Sequence, residues 1–178
     1  MKRIRALLAW LAAPSRRFVP LFFVYLWILT TLTGLVSTER MQSLLRATAW
    51  IDYQILRVFS EEVRLSGIVV SLDGFAVRII AECTGLFEAV ILVAAVFAYQ
   101  ATWRERIFGA LAGTTLLYLV NVLRIAFLVL VGRHRPDLFD LAHVYFWQTL
   151  LVFFIVVLWL SWIHYFVRSD EASPALRA

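Results

Sequence analysis

The sequence predicts an all-α membrane protein of four transmembrane helices, with an outer-face amphipathic helix and a small β-hairpin, in one membrane domain over residues 1–178. Three observations predict it. Hydrophobic residues make up 62% of the chain and charged residues 16%, with a mean hydropathy of +0.83, too little charge to cover a water-facing surface. Four apolar runs of 19 to 25 residues are each long enough to serve as one of the roughly 20-residue segments that cross a bilayer core. Between the first two runs the hydrophobic period changes from 3.6 to 2, with Asp73-Gly74 as a two-residue turn signal.

The elements follow in order. Residues 1–17 carry Lys2, Arg3, Arg5, Arg16 and Arg17 and read as a cytoplasmic, interfacial lead-in. The apolar stretch Ala6 to Ala13 runs into Pro14, Arg16 and Arg17, so it is read as retained and not as a cleaved signal. Span one covers residues 18–36. The outer loop, 37–83, begins with an amphipathic helix on which Met41, Leu44, Leu45, Ile51, Ile55, Val58 and Phe59 recur at helical spacing. Alternation at Val63, Leu65, Gly67 and Val69, and again at Phe75, Val77 and Ile79, predicts the hairpin that leads into Cys83. Span two covers 84–103, span three 107–131 and span four 143–167. Arg104-Glu105-Arg106 reads as a tight inner turn, 132–142 as an outer loop and 168–178 as a cytoplasmic tail.

The net charge of +5 is scattered between apolar runs and concentrated at the N-terminus, the pattern of a topology signal facing anionic lipid. A nucleic-acid partner is therefore not expected; membrane lipids are. Cys83 is the single cysteine, which excludes internal disulfides and multi-thiolate zinc sites.

Ionisable groups inside a membrane are costly and point to function. Cys83 stands at the outer mouth of span two, and His143 opens span four. Arg124 lies seven residues before Val131, about 10 Å below the outer end of span three. A thiol at a helix N-terminus gains thiolate character, and an imidazole there is disfavoured as a cation and suited to accept a proton. A guanidinium in low dielectric stabilises a thiolate or an oxyanion. Together they describe acyl transfer on a peptide or thioester, with no metal or cofactor required.

Each residue also has a plainer reading. A lone membrane Cys is commonly a small hydrophobe, an interfacial His a wetted anchor, and Arg124 the partner of Glu88 in a buried ion pair. On that footing the chain is a non-enzymatic assembly or transport subunit. A thiol redox protein would need a partner's thiol, since no resolving Cys exists. Asn121, three residues before Arg124 on one helix face, either orients the guanidinium or joins helices. Gly109 and Gly113 read as a small-residue packing seam, and His134 and His164 as interfacial residues.

The strings Ala81-Glu82-Cys83-Thr84-Gly85-Leu86, Asn121-Val122-Leu123-Arg124-Ile125-Ala126 and Ala142-His143 resemble the exosortase and archaeosortase family of membrane-embedded cysteine transpeptidases. The resemblance covers roughly residues 60–150. Many members have more spans, and this chain is similar to the short exosortase H type. The resemblance implies Cys83 as nucleophile, Arg124 as essential cation and His143 as acid/base, supported by Asn121, Thr84 and Gly85. It implies substrate proteins with a C-terminal sorting signal, made of a short motif, a transmembrane helix and a basic cluster. It also implies action at the outer face of a prokaryotic cytoplasmic membrane.

Overall fold

The computed structural model describes residues 14–167. Residues 1–13 of the predicted lead-in, and the predicted tail from residue 168, lie outside the described residues. The chain is mostly helical. In order it forms α1 (Pro14–Gly34), α2 (Thr38–Arg57), β1 (Val63–Ser66), β2 (Val69–Leu72), β3 (Phe75–Arg78), α3 (Leu86–Ala98), α4 (Trp103–His134) and α5 (Trp147–Trp162). A 3-10 turn at Pro136–Leu138 and a π-helical stretch at Leu141–Phe146 precede α5, and a second π-helical stretch, Ile163–Val167, follows it.

Among the described residues, three helical segments are long and apolar enough to cross a membrane: Arg17–Gly34, Trp103–His134 and Pro136–Val167. None of the first segment's apolar window is buried by protein, so Val19, Phe23 and Trp27 need lipid around them. The second predicted span is shorter than expected. Its helix, Leu86–Ala98, has 13 residues and rises about 20 Å, against a hydrocarbon core of about 30 Å. Both ends of the predicted run are taken by turns. Gly85 has φ +72, and after Ala98 the chain leaves the helix until Trp103.

The restart at Trp103 is a capping box. Thr102 N–H donates to the Glu105 carboxylate, and Glu105 N–H donates to Thr102 Oγ1 at 3.4 Å. Arg104-Glu105-Arg106 is therefore the first turn of α4 and not the predicted tight loop. The predicted outer loop 132–142 shrinks as well, because α4 continues to His134 and the next helical path begins at Pro136.

The described residues form two compact units. One gathers residues 14–35, 90–114 and 156–167. It is held by aromatic contacts, among them Phe18 with Trp159 at 5.2 Å and Tyr99 with Trp162 at 5.9 Å. Trp162 Nε1 donates to Glu105 O at 3.0 Å. The small-residue seam appears here: a Cβ on Gly109 would lie 2.4 Å from Trp162, and one on Gly113 2.5 Å from Leu92.

The other unit comprises residues 36–89 and 115–155. Its sheet has three antiparallel strands in the order β1-β2-β3, where the alternation predicted one hairpin. The stretch read as one strand is folded at Gly67, whose φ of +62 suits the first position of a type II′ turn. The Asp73-Gly74 turn forms as predicted, with φ +48 and +84, both positive as a type I′ turn demands. Helix α2, capped by Ser37, packs on β1 and β2. Its buried face is Leu45, Thr48, Ala49, Asp52 and Leu56, while Val58 and Phe59, predicted for the apolar face, are exposed beyond the helix end. The core joins Leu45, Ala49 and Leu56 to Val63, Val70, Leu72, Ile79, Cys83, Ile125, Ala126 and Val129.

Candidate functional site

All the predicted site residues fall in the second unit. Cys83 ends a 3-10 turn, Ala81–Cys83, three residues ahead of the first residue of α3, so it is not at the helix terminus itself. The turn is closed by Cys83 N–H to Ile80 O at 2.9 Å and by the Thr84 hydroxyl to Ala81 O at 2.7 Å. Thr84 is thus a brace for the turn that carries the thiol. Gly85 then reverses the chain with φ +72, and a Cβ there would lie 3.3 Å from Asn121 Cβ. Glycine meets both demands, a left-handed φ and a close approach.

Asn121 and Arg124 share one face of α4. Asn121 Nδ2 donates to the main-chain oxygen of Cys83, and Asn121 Oδ1 accepts from Arg124 Nη1 at 3.2 Å. One amide therefore ties the cysteine turn to the guanidinium. Arg124 is 5% exposed, so it is buried and does not snorkel to the surface. Its Nε has no hydrogen-bond partner, nor does the buried Glu88 Oε2. The ion pair considered between Glu88 and Arg124 is not among those formed by the described residues, which join Arg133 to Asp73 and Arg135 to Asp137. The guanidinium turns to Asn121 instead.

His143 lies within the π-helical stretch, seven residues after the helical path opens at Pro136, and so does not sit at a helix N-terminus. Its ring stacks on Phe139, with centroids 5.5 Å apart and planes 27° apart. Phe139 in turn meets Phe75 of β3 at 5.2 Å. Phe75 is seated over Gly132, where a Cβ would come within 2.0 Å of its ring. The Asp73–Arg133 ion pair fixes the β2-β3 turn to the same end of α4.

These supports surround one cleft of about 410 Å³, within the range of small-ligand pockets. Cys83, Arg124 and His143 all line it, together with Phe75 to Arg78, Ile80, Ile125, Leu128 and Phe139. A sulfur, a permanent cation and an imidazole opening on one largely apolar cavity can form a thioester and hold the charge that develops on an attacked carbonyl. Sequence reasoning missed Arg78 and the Phe75-Phe139 wall. The signal available for Arg78 was its place in the strand that runs into the cysteine turn.

The family model described as transmembrane exosortase matches residues 4–163. A search of curated proteins and a search of solved structures each found no match. Matched over nearly its whole length, with the cysteine, arginine and histidine on one cleft, the chain belongs to the transmembrane exosortase family.

Proposed function

We propose that this protein is a membrane-embedded cysteine peptidase or transpeptidase that cleaves the C-terminal sorting signal of secreted proteins through a thioester on Cys83. The observation that supports this most is the shared cleft of Cys83, Arg124 and His143. In the proposed reaction the Cys83 thiol gives its proton to His143, and the sulfur attacks the substrate carbonyl. The oxyanion of the tetrahedral intermediate is held by Arg124, which has an unspent donor at Nε. Collapse breaks the C–N bond, and His143 returns the proton to the leaving amine. An acceptor amine or water then attacks the thioester, losing its proton through His143 and releasing the thiol.

The proposed topology has four crossings in a prokaryotic cytoplasmic membrane, with the cleft on the outer side. The direction of the chain supports Leu86–Ala98 as the second crossing. It leaves the cleft just after Cys83, and α4 returns to the cleft at Arg124 after a connection of only residues 99–102. The basic N-terminal residues support an inner N-terminus.

The test is mass spectrometry of Cys83 after co-expression with candidate membrane-anchored proteins bearing C-terminal signals. An acyl adduct on Cys83, absent from Cys83→Ala, is expected. Cleavage of those proteins by a folded, membrane-inserted Cys83→Ala variant would overturn the nucleophile assignment. Thiol labelling gives a second readout: outside-added, membrane-impermeant reagents are expected to modify Cys83, and resistance to them argues for a packed, structural cysteine.

A further inference from the structure

Strand β3 is an edge strand, and its register decides which of its main-chain groups are committed. The two-residue turn closes on the pair Leu72↔Phe75, and the ladder continues through Ser71↔Ala76, Val70↔Val77 and Val69↔Arg78. In an antiparallel ladder hydrogen-bonded and non-hydrogen-bonded pairs alternate. Leu72↔Phe75 and Val70↔Val77 are therefore bonded, and the bond from Ile79 N–H to Ile68 O at 2.8 Å continues that phase. Ala76 and Arg78 occupy the alternate positions, so their N–H and C=O groups point away from β2, toward the free edge.

The cleft lies along that edge. Side chains of successive strand residues point to opposite faces, so a cavity on one face of the sheet would meet Phe75 and Val77, or Ala76 and Arg78. This cleft is lined by all four consecutive residues, which is the signature of a cavity beside the strand. Arg124, Ile125 and Leu128 of α4 also line it, as does Cys83, five residues beyond the end of β3. Two sets of outward donors and acceptors, about 6.8 Å apart, match the repeat of an extended peptide. No proline or bulge interrupts the strand.

We propose that the substrate binds as an added strand: an extended peptide segment pairs with the N–H and C=O groups of Ala76 and Arg78, which lays its scissile carbonyl toward Cys83. This rests on the cysteine-nucleophile reading above and deepens it, since it identifies the recognised form as a main-chain conformation. Side-chain selection falls to the flanking wall, with the Arg78 and Arg124 guanidinium groups suited to an acidic or carbonyl-rich neighbour of the cleavage point.

Main-chain pairing does not depend on motif, so a generic probe tests it. The full chain in detergent is treated with a trialanyl chloromethyl ketone, which forms an S–C bond to Cys83 and expels chloride. Two further reagents carry an N-methyl group on alternate amides, and iodoacetamide, which has no peptide to pair, reports whether the thiol is reachable. One methylation pattern is expected to slow labelling about tenfold, while the other leaves it within about twofold. Ala76→Pro removes one outward N–H without touching a bond to β2, and is expected to bring the unmethylated reagent down to the slow rate. Equal rates for both methylated reagents, with iodoacetamide reacting, would overturn strand addition and leave the Cys83 reading standing. No reaction with any reagent would overturn the Cys83 reading and this inference with it.

Discussion

Asn121 holds Cys83 and Arg124 in one hydrogen-bonded unit, donating to the main-chain oxygen of Cys83 and accepting from Arg124 Nη1 at 3.2 Å. All three residues are buried, so neither bond is readily exchanged for water. The amide is suited to this double role because it offers a donor and an acceptor on one planar group. Replacing it by Asp keeps the acceptor for Arg124 but sets a carboxylate oxygen against the Cys83 carbonyl. Asn121→Asp is expected to lower adduct formation on Cys83 by at least about tenfold, and to cost about 1–3 kcal/mol in stability. Adduct yield and thermal unfolding in detergent measure the two effects. Unchanged values for both would mean that the bridge contributes nothing.

Arg124 separates charge from shape. Lysine keeps a positive charge but loses the planar fork that serves Asn121 and, in the proposed reaction, the incoming oxyanion as well. Arg124→Lys is expected to lower the rate of substrate cleavage about 10²-fold, the scale of losing one oxyanion donor. Arg124→Ala is expected to lower it further, because Asn121 Oδ1 then also loses its partner. Cleavage at the normal rate by the alanine variant would remove the guanidinium from the mechanism.

At Gly85 conformation and space act together. A side chain there meets a left-handed φ of +72 and a Cβ distance of 3.3 Å to Asn121. Gly85→Ala is expected to cost about 1–3 kcal/mol, and to slow thiol labelling by shifting the Asn121 bridge. Thermal unfolding and labelling kinetics on the same sample check whether the two losses travel together.

Asp52 predicts a pH dependence. Its side chain on α2 is fully buried, and neither carboxyl oxygen has a hydrogen-bond partner. Burial pushes its carboxyl from the ordinary 3.8 up to about 8. The folded protein therefore keeps a proton that the unfolded chain has already released. The stability linked to this group is fully present below about 3.8, falls as pH rises and is lost above about 8, by up to about 1.4 kcal/mol per pH unit. Asp52→Asn, similar in shape and always neutral, is expected to flatten the unfolding profile between pH 5 and 9 and to raise the unfolding temperature at its alkaline end. A variant as pH-sensitive as the native chain would show that Asp52 is not the group responsible.

The candidate site was more legible in the sequence than the elements that carry it. Cys83, Arg124 and His143 stand out because each is a polar group set in or beside an apolar run, and their levels along the chain are simple to count. Apolar runs do not mark where a helix stops. Gly85 delays the start of the second and the Thr102-Glu105 capping box starts the third, and both are short local signals inside hydrophobic sequence. Gly67 turned one predicted strand into two for the same reason. The π-helical setting of His143 left no periodic trace, because one inserted residue per turn is invisible in a uniformly apolar stretch. Asp52 was hidden differently: period alone selects apolar residues for a buried face, whereas the buried face of α2 includes this acidic side chain.

Gly132 offers a way to test whether the wall behind His143 matters. Phe75, on the strand proposed to hold substrate, packs over this glycine, meets Phe139 at 5.2 Å, and through it is linked to the imidazole, stacked at 5.5 Å. A Cβ on Gly132 would come within 2.0 Å of the Phe75 ring, too close for any small adjustment. Gly132→Ala is therefore expected to push Phe75 away, costing about 1–3 kcal/mol by overpacking and lowering cleavage by displacing Phe139 and His143. Phe75→Leu in the same chain removes the ring edge that the methyl group strikes. The double variant is expected to recover part of both losses, whereas Phe75→Leu alone loosens the wall. Because the two residues touch, their effects should couple by about 0.5–3 kcal/mol in a double-mutant cycle. Additive losses would show that the methyl group acts through α4 alone, and that the aromatic chain does not carry the position of His143.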